Sequence, residues 1–438
     1  MDGSGLYGAF DTTGVASPYN PPVTELQRIV DTLARSAHCA VSIHDRNRRL
    51  LAYSAHQGMV DEVRKESILT RRGPQRGYSW ARQFGIEEAM APVRIPANLD
   101  LGMTARVCAP IRSESRLIGF LWLADPDESL PDDVLDLAQS AADAAALAIQ
   151  QAELMDQLDR GRGRELLRDL LSDEAGVRQH AVSELIESRL LVPGDLAVVF
   201  VARPLRERLP LAPSDTAART RVERAVARSI ADLPPRQALQ LVRPDHGVLL
   251  VTLAKHQVAT IPELGANLQA HLADAFKADR GSKTAKAWSV VVGIGDAETE
   301  LEASYRSYIQ ARKAAEVCGV LTYAGPVARW SDLGVYQTLL QLPVSQVDMS
   351  ALHPGLVRLF AARDAGLWVH TLECYLDRGC DAPAAAKALA INKSSLYHRI
   401  HRIEQIGEVD LRSGDDRLAF HLGLKLARLA GLIDSVSA

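Results

Sequence analysis

The ten residues from Lys393 to Arg402, KSSLYHRIHR, hold three permanent cations, two histidines, two serines and a tyrosine, and no carboxylate. The chain as a whole is acidic, with 50 Lys and Arg against 54 Asp and Glu and a net charge of −4. A run of this kind is therefore the local patch through which such a chain could hold a polyanion. Leu396, Ile400 and Ile403 are spaced four and three apart, the spacing of one apolar helical stripe. Off that stripe stand Lys393, Ser394, Ser395, Tyr397, His398, Arg399 and Arg402, the candidate DNA-contacting residues. Arginine can take the O6 and N7 of guanine with two parallel bonds, and Ser or Lys near a helix start can hold a phosphate or a base edge. On this reading Arg399 reads bases and Lys393 holds backbone.

The elements that must position this helix lie just before it. GLWVHTLECYLDRG, residues 366 to 379, reads as a helix closed by Gly379 in the left-handed C′ position. Asp381 can cap a short following helix that tolerates Pro383 in its first turn and packs closely through the small residues of APAAAKALA. Ile391 and Asn392 make a tight connection, and Asn392 is placed to cap the basic helix. Helix, tight turn and a second helix with a basic outer face is the helix-turn-helix arrangement, whose second helix fits the major groove. A surface helix with solvated charges is the alternative that the pattern by itself leaves open.

The stretch from YLDRG through AAAKALAINKSSLYHRIHRIEQI to DLRSGDDRLAFHLGLKLARL resembles the C-terminal helix-turn-helix domain of the PucR/CdaR family of bacterial transcription regulators. Its runs -L-x-x-R-I-x-R-I-E- and -D-L-x-x-x-x-D-R-L-A-x-H-L- occur together at the family's separation. The family usually has Asn where Ser394 stands and Arg where Tyr397 stands, so the operator read here is expected to differ. Residues 23–160 resemble the family's GAF-like sensor, with PVRIPANLDLGM, RVCAPIR and LIGFLWLAD as the recognisable pieces. Residues 195–322 resemble its GGDEF-like middle domain. The resemblance implies binding to double-stranded operator DNA, modulated by a small molecule or a partner acting on the sensor. A rival is a nucleotide cyclase, but the turn Arg243-Pro244-Asp245-His246 lacks the paired glycines that let backbone approach phosphate, and it keeps one carboxylate. No enzymatic activity, metal or cofactor is expected. Gly293 and Gly295 in VVVGIGDAE likewise form only G-x-G, short of a dinucleotide fingerprint.

With 438 residues the chain suits about three domains at roughly 150 residues each. Its 47% apolar and 24% charged residues match ordinary globular protein and exclude collagen, coiled-coil rod and wholesale disorder. Five cysteines without a CxxC point to a reducing compartment. The N-terminus has neither the basic start nor the apolar run of a signal peptide, and no apolar stretch approaches the ~20 residues of a membrane span. A cytoplasmic protein that does not engage membranes is expected.

The fold class expected is multidomain α+β: a GAF-like α/β sensor, a degenerate GGDEF-like α/β domain and an all-α helix-turn-helix domain. Residues 1–22 read as a flexible tail, 23–160 as the sensor, 161–194 as a helical connector, 195–325 as the middle domain, 326–361 as a linker becoming helical at its end, and 362–438 as the DNA-binding domain. The sensor's last helix is expected from after Pro131 to about Arg160, broken by GRGR at 161 to 164. Val134, Ala138, Ala141, Ala145, Ala148, Ala152 and Met155 form a heptad seam on it, which fits a helix packed on its own sheet and a dimer helix equally. The irregular stretch before residue 104 could hold a ligand, with Tyr78, Trp80 and Phe84 as lining and Arg76 or Arg94 for an anion, although core packing also suits each aromatic. A sensor without any ligand, serving dimerisation or protein contacts, is the other reading. Because one helix-turn-helix touches few base pairs, a homodimer or higher homo-oligomer is the physical expectation.

Overall fold

The computed structural model describes residues 21–55, 61–206, 209–210, 214–277, 288–321, 325–343, 347–348 and 352–433. The expected N-terminal tail thus lies, but for its last two residues, outside the described residues. The chain divides into two compact units, residues 1–160 and 161–438.

The first unit opens with α1 (Pro21–Ala37), followed by β1 (Val41–Asp45), β2 (Leu50–Tyr53), α2 (Glu62–Thr70), α3 (Gln75–Arg82), β3 (Val93–Ile95), β4 (Arg106–Ser113) and β5 (Arg116–Ala124). Its five strands lie in the order β2-β1-β5-β4-β3, with every neighbouring pair antiparallel. The alternation of the strands sends Val41, Ile43, Val107, Ala109, Leu121 and Leu123 into one core. Leu26, Val30 and Leu33 of α1 cover that face, together with Val134, Ala138, Ala142 and Ala145 of the long helix α4 (Asp132–Leu170). A second, smaller core forms around Phe120, Val63, Ala81, Ile86 and Met103, where α2 and α3 meet the sheet.

Helix α4 differs from expectation at its C-terminal end. It does not break at GRGR but runs on to Leu170, so the start of the expected helical connector, residues 161–170, is its last turns. Gly163 is buried, and a Cβ there would come within 3.2 Å of the Leu239 side chain, so this glycine serves close packing rather than helix termination. The seam residues Val134, Ala138, Ala145 and Ala148 are buried in the sensor's own core, which is the first of the two readings of that seam. Met155, the last residue of that seam, is exposed, as are Leu147, Leu154 and Leu158.

In the second unit α5 (Ala175–Glu187) precedes β6 (Leu196–Arg206), β7 (Leu209–Pro210), α6 (Thr216–Ala231), β8 (Ala238–Val242), β9 (Gly247–Leu253), α7 (Ile261–Lys277), β10 (Trp288–Ile294) and α8 (Ser304–Val320). A six-stranded sheet runs in the order β11-β10-β6-β9-β8, with β7 paired to β6 and with β11 (Val327–Arg329) parallel to β10. Helices α6 and α7 cover one face and α5, α8 and the end of α4 the other, which makes a three-layer domain. Gly293 shows why G-x-G stands on β10: a Cβ there would lie 2.0 Å from the carbonyl of Ala311, so the glycine lets α8 pack against the strand.

The segment 326–361, read as a linker becoming helical at its end, ends in α10 (Pro354–Ala361) as expected but begins as part of the sheet domain. It enters the sheet as β11, and Trp330, Leu333, Tyr336 and Leu339 then bury against Ala314 and Val317 of α8, the last two of the four in or beside α9 (Val335–Leu339). The rest of the unit is helical: α10 (Pro354–Ala361), α11 (Ala365–Asp377), α12 (Ala382–Ala388), α13 (Lys393–Gly407) and α14 (Gly414–Leu429). Leu422 and Leu429 of α14 pack on the Trp330–Leu340 cluster, joining the helical domain to the sheet domain.

A buried ionic cluster fastens α14 to α11. Arg428 donates to Glu373 through Nε at 2.6 Å and also through Nη2, while Lys425 Nζ stands 2.7 Å from Asp377 and His421 Nε2 lies 2.8 Å from the same carboxylate. Glu373, Lys425 and Arg428 are all buried. Removing one partner strands the other charges in low dielectric, so Glu373→Ala should cost about 3 to 5 kcal/mol in urea unfolding. A loss below about 1 kcal/mol would show that the cluster does not hold the helices together.

Candidate nucleic-acid interface and sensor pocket

Two caps set the helical pair. Asp381 Oδ1 accepts from the Ala384 amide at 3.1 Å, and Asn392 Oδ1 accepts from the Ser395 amide at 2.7 Å, each satisfying an otherwise open N–H at a helix start. Gly379 has the left-handed φ of 63° that its position after α11 calls for. Between α12 and α13 the chain turns at Ala390, also left-handed at φ 52°. Leu396, Ile400 and Ile403 are buried among Leu372, Leu376, Ala385 and Phe420.

That burial turns the other side of α13 outward. Lys393, Ser394, Tyr397, His398, His401 and Arg402 are exposed, Tyr397 to 58% although it is a large aromatic. Ser395 and Arg399 are half-buried at the flank, and Arg399 Nη1 donates to Thr371 Oγ1 of α11 at 3.3 Å. Arg402 Nη1 donates to Gln405 Oε1 at 3.1 Å. The nearest carboxylate on the helix, Glu404, accepts from the Leu411 amide at 3.1 Å through Oε1, while its Oε2 lies 3.8 Å from Nδ1 of His401. From Ser394 to Arg402 the row spans about 12 Å, the width of a B-DNA major groove. His401 belongs to this row through its spacing from Tyr397 and His398, a signal present in the sequence that the residue types alone did not bring out.

The sensor encloses a cavity of about 70 Å³ between the sheet and the α2–α3 layer. Its walls are mostly apolar, among them Leu50, Val63, Met103 and Phe120, and its polar groups are His44, Asp61, Arg64, Ser67 and Arg106. Asp61, the cap of α2, accepts from Arg106 Nη2 at 2.5 Å and from Thr104 Oγ1 at 2.8 Å. Burial works against its ionised form, but Arg106 and these hydrogen bonds outweigh it and hold the carboxyl below its usual range. Among the described residues the Arg64 side chain donates to carbonyls, that of Ser54 at 3.1 Å and that of Val41 at 3.5 Å, and its buried Nε has no partner. His44 lies 2.7 Å through Nε2 from Ser67 Oγ, while its buried Nδ1 has none. Burial, with Arg106 and Arg64 nearby, lowers the His44 pKa to about 4, so the ring is neutral.

Of the five residues named from sequence, Tyr78 lines this cavity. Its hydroxyl donates to Glu87 at 2.5 Å. Trp80 and Phe84 pack edge to face on each other at 5.2 Å, and Trp80 Nε1 donates to the Pro96 carbonyl. Arg76 is exposed and paired with Glu66 at 2.6 Å, and Arg94 is exposed and tied to Leu130, Asp125 and Asp132. The cations at the cavity are instead Arg48, Arg64 and Arg106. Sequence reasoning missed His44 and Arg64, whose signal is a polar side chain at an inward position of a strand or helix.

Comparison with known proteins finds three family models. The PucR C-terminal helix-turn-helix domain matches residues 368–426, a GGDEF-like domain residues 192–317 and a GAF domain residues 23–151. The chain is 21% identical over 94% of its length to the DNA-binding transcriptional activator AdeR of Bacillus subtilis (strain 168), covering 95% of that protein. It is 20% identical over 92% of its length to the proline-responsive transcriptional activator PutR of the same organism, covering 97% of that protein. A solved structure, the regulator of polyketide synthase expression from Bifidobacterium adolescentis, superposes only loosely: TM-score 0.28 and 15% identity, covering 61% of this chain and 98% of its own.

The neutral His44 makes the sensor sensitive to acid. Its folded pKa of about 4 lies below the unfolded 6.5, so the unfolded state takes up the proton first as pH falls. Stability is unaffected above pH 6.5 and declines as the pH drops from there toward 4. Between pH 7.5 and 5 the loss should be about 2 kcal/mol, read from hydrogen exchange of the β1 and β5 amides corrected for intrinsic rate, and His44→Phe should abolish most of it. An equal loss in that variant would remove His44 as the cause.

Proposed function

The chain being a PucR-type DNA-binding transcription regulator with a GAF sensor and a GGDEF-like domain, we propose that α13 reads the operator through its exposed row and that a small molecule in the sensor cavity governs the outcome. The observation that carries this reading is the outward row Lys393, Ser394, Tyr397, His398, His401 and Arg402, free of carboxylates and as long as a major groove is wide. Arg399 stands beside it with one nitrogen braced by Thr371 and its other donors left for a base edge. Tyr397 supplies an aromatic face for the thymine methyl or the sugar.

Two copies acting together supply the length of site that one helix-turn-helix lacks. Leu147, Leu154, Met155 and Leu158, exposed on α4 at helical spacing, support association through that helix. The proline-responsive activity named for PutR supports a small-metabolite effector here. The cavity suits a compact molecule with an apolar body and an anionic group for Arg64 or Arg48, whose side-chain bonds among the described residues go to backbone carbonyls. Among the described residues no helix is long and apolar enough to cross a membrane. The reading is of a cytoplasmic protein acting on DNA, with transcription activated as AdeR and PutR are named to do, and with no enzymatic step.

Fluorescence anisotropy on operator and random duplexes tests the reading. Arg399→Ala and Arg402→Ala should each weaken operator binding by about 1 to 3 kcal/mol and random DNA by less. Lys393→Ala should weaken both alike and reduce the salt slope by about 1. Equal losses on the two duplexes for both arginines would refute base reading by α13.

A further inference from the structure

Helix α4 carries a second stripe that the sensor does not cover. Leu137, Ser140, Ala144, Leu147, Gln151, Leu154 and Leu158 follow one another at spacings of three and four residues without a break, and all seven are exposed. Its four leucines stay 45 to 59% exposed. The stripe lies about a third of the way round the helix from Val134, Ala138 and Ala145, which pack in the sensor's core, and it runs for about 32 Å. Single exposed leucines are ordinary on a protein surface, whereas a continuous row of this length marks a contact.

The spacing says what can cover the row. Alternation of three and four is the seam of a left-handed coiled coil, with Leu137, Ala144, Gln151 and Leu158 at its a positions and Ser140, Leu147 and Leu154 at its d positions. A sheet or a loop has no matching period, and another helix with the same repeat has. The sensor's other helices are committed, α1 through Leu26 and Val30 to the main core, α2 and α3 through Val63 and Ala81 to the smaller one. The seam also has a defined end. Beyond Leu158 its next positions are Gly161 and Glu165, which cannot continue an apolar contact, and the apolar residues that follow, Leu166, Leu167 and Leu170, are buried in the core of the sheet domain.

We propose that a second copy of this chain covers the row, the two α4 helices pairing parallel and in register from Leu137 to Leu158. The proposal rests on the two-copy reading given above and supplies its interface. Each leucine then meets its own counterpart, and the Gln151 amides bond to each other across the seam. An antiparallel pairing would set Gln151 against Ala144 and leave a buried amide unpaired, so the glutamine selects the parallel arrangement. Ser140 does not interfere, because its Oγ donates to the Asp136 carbonyl of its own helix at 3.0 Å. The flanks are compatible too. Asp136 and Asp143 stand on one side of the seam and Ala141, Ala148 and Met155 on the other, so in the parallel pair each carboxylate faces an apolar flank rather than another carboxylate.

Sedimentation velocity of the full chain at micromolar concentration tests the pairing, and oxidative cross-linking of introduced cysteines tests its direction. The wild type is expected to be a dimer, weakened at least about a hundredfold in Leu147→Glu/Leu154→Glu. Both leucines lie outside the sensor's core, so the helix content of that variant should match the wild type by circular dichroism. Cross-linking is read with Cys380→Ser in the background, since Cys380 is the one cysteine that is not buried. Ser140→Cys and Leu158→Cys should each join to their own counterpart, and Glu153→Cys, on another face of the helix, should not. A monomeric wild type would overturn the proposal together with the two-copy reading. A dimer that survives the double substitution, or one in which Ser140→Cys and Leu158→Cys cross-link no faster than Glu153→Cys, would overturn the parallel seam alone and leave two copies joined in another way.

Discussion

Burial of Leu396, Ile400 and Ile403 fixes the rotation of α13 about its own axis, and what that helix can offer to DNA follows from that rotation. Three apolar side chains cannot leave the core without exposing it to water, at roughly 1.5 to 3 kcal/mol each. The opposite side is therefore held outward, and the residues placed there are cations, imidazoles, hydroxyls and one aromatic. Asn392 fixes where the helix starts, and Thr371 holds Arg399 at its edge. The interface is thus set by a core stripe and two hydrogen bonds, none of which touches the ligand.

The same logic runs through the rest of the second unit. The ionic cluster of Glu373, Asp377, His421, Lys425 and Arg428 joins α14 to α11, and the outer side of α14 packs on the Trp330–Leu340 cluster. Helix α13 is consequently carried on a framework that joins the sheet domain through the Trp330–Leu340 cluster. In the sensor and the middle domain, by contrast, buried arginines stand beside cavities with polar atoms unsatisfied. A fold that spends buried charge in this way has arranged it for something other than its own core.

The helix-turn-helix was legible in the sequence because each of its signals is local: a capping Asn, a three-residue apolar stripe, small residues for close packing and an absence of carboxylates. What misled was also local. GRGR looks like a helix end, yet the buried partner of Gly163 comes from β8, distant in sequence. The strand β11 is three residues long and owes its place to pairing with β10, which no short-range pattern announces. Their aromatic rings drew attention to Trp80 and Phe84, which pack on the sensor's second core, whereas the cavity was built by His44, Arg64 and Arg106, polar residues inside the fold whose meaning depends on neighbours that only the tertiary structure supplies.

The most direct measurement is selection of genomic DNA fragments by the full-length protein, with a Tyr397→Ala/Arg402→Ala variant run beside it at the same salt concentration. The account predicts enrichment of fragments that share a repeated half-site, its two copies separated by whole helical turns, and loss of that enrichment in the variant. Enrichment of the same half-site by the variant would contradict it, because the reading of DNA would then lie elsewhere than on α13.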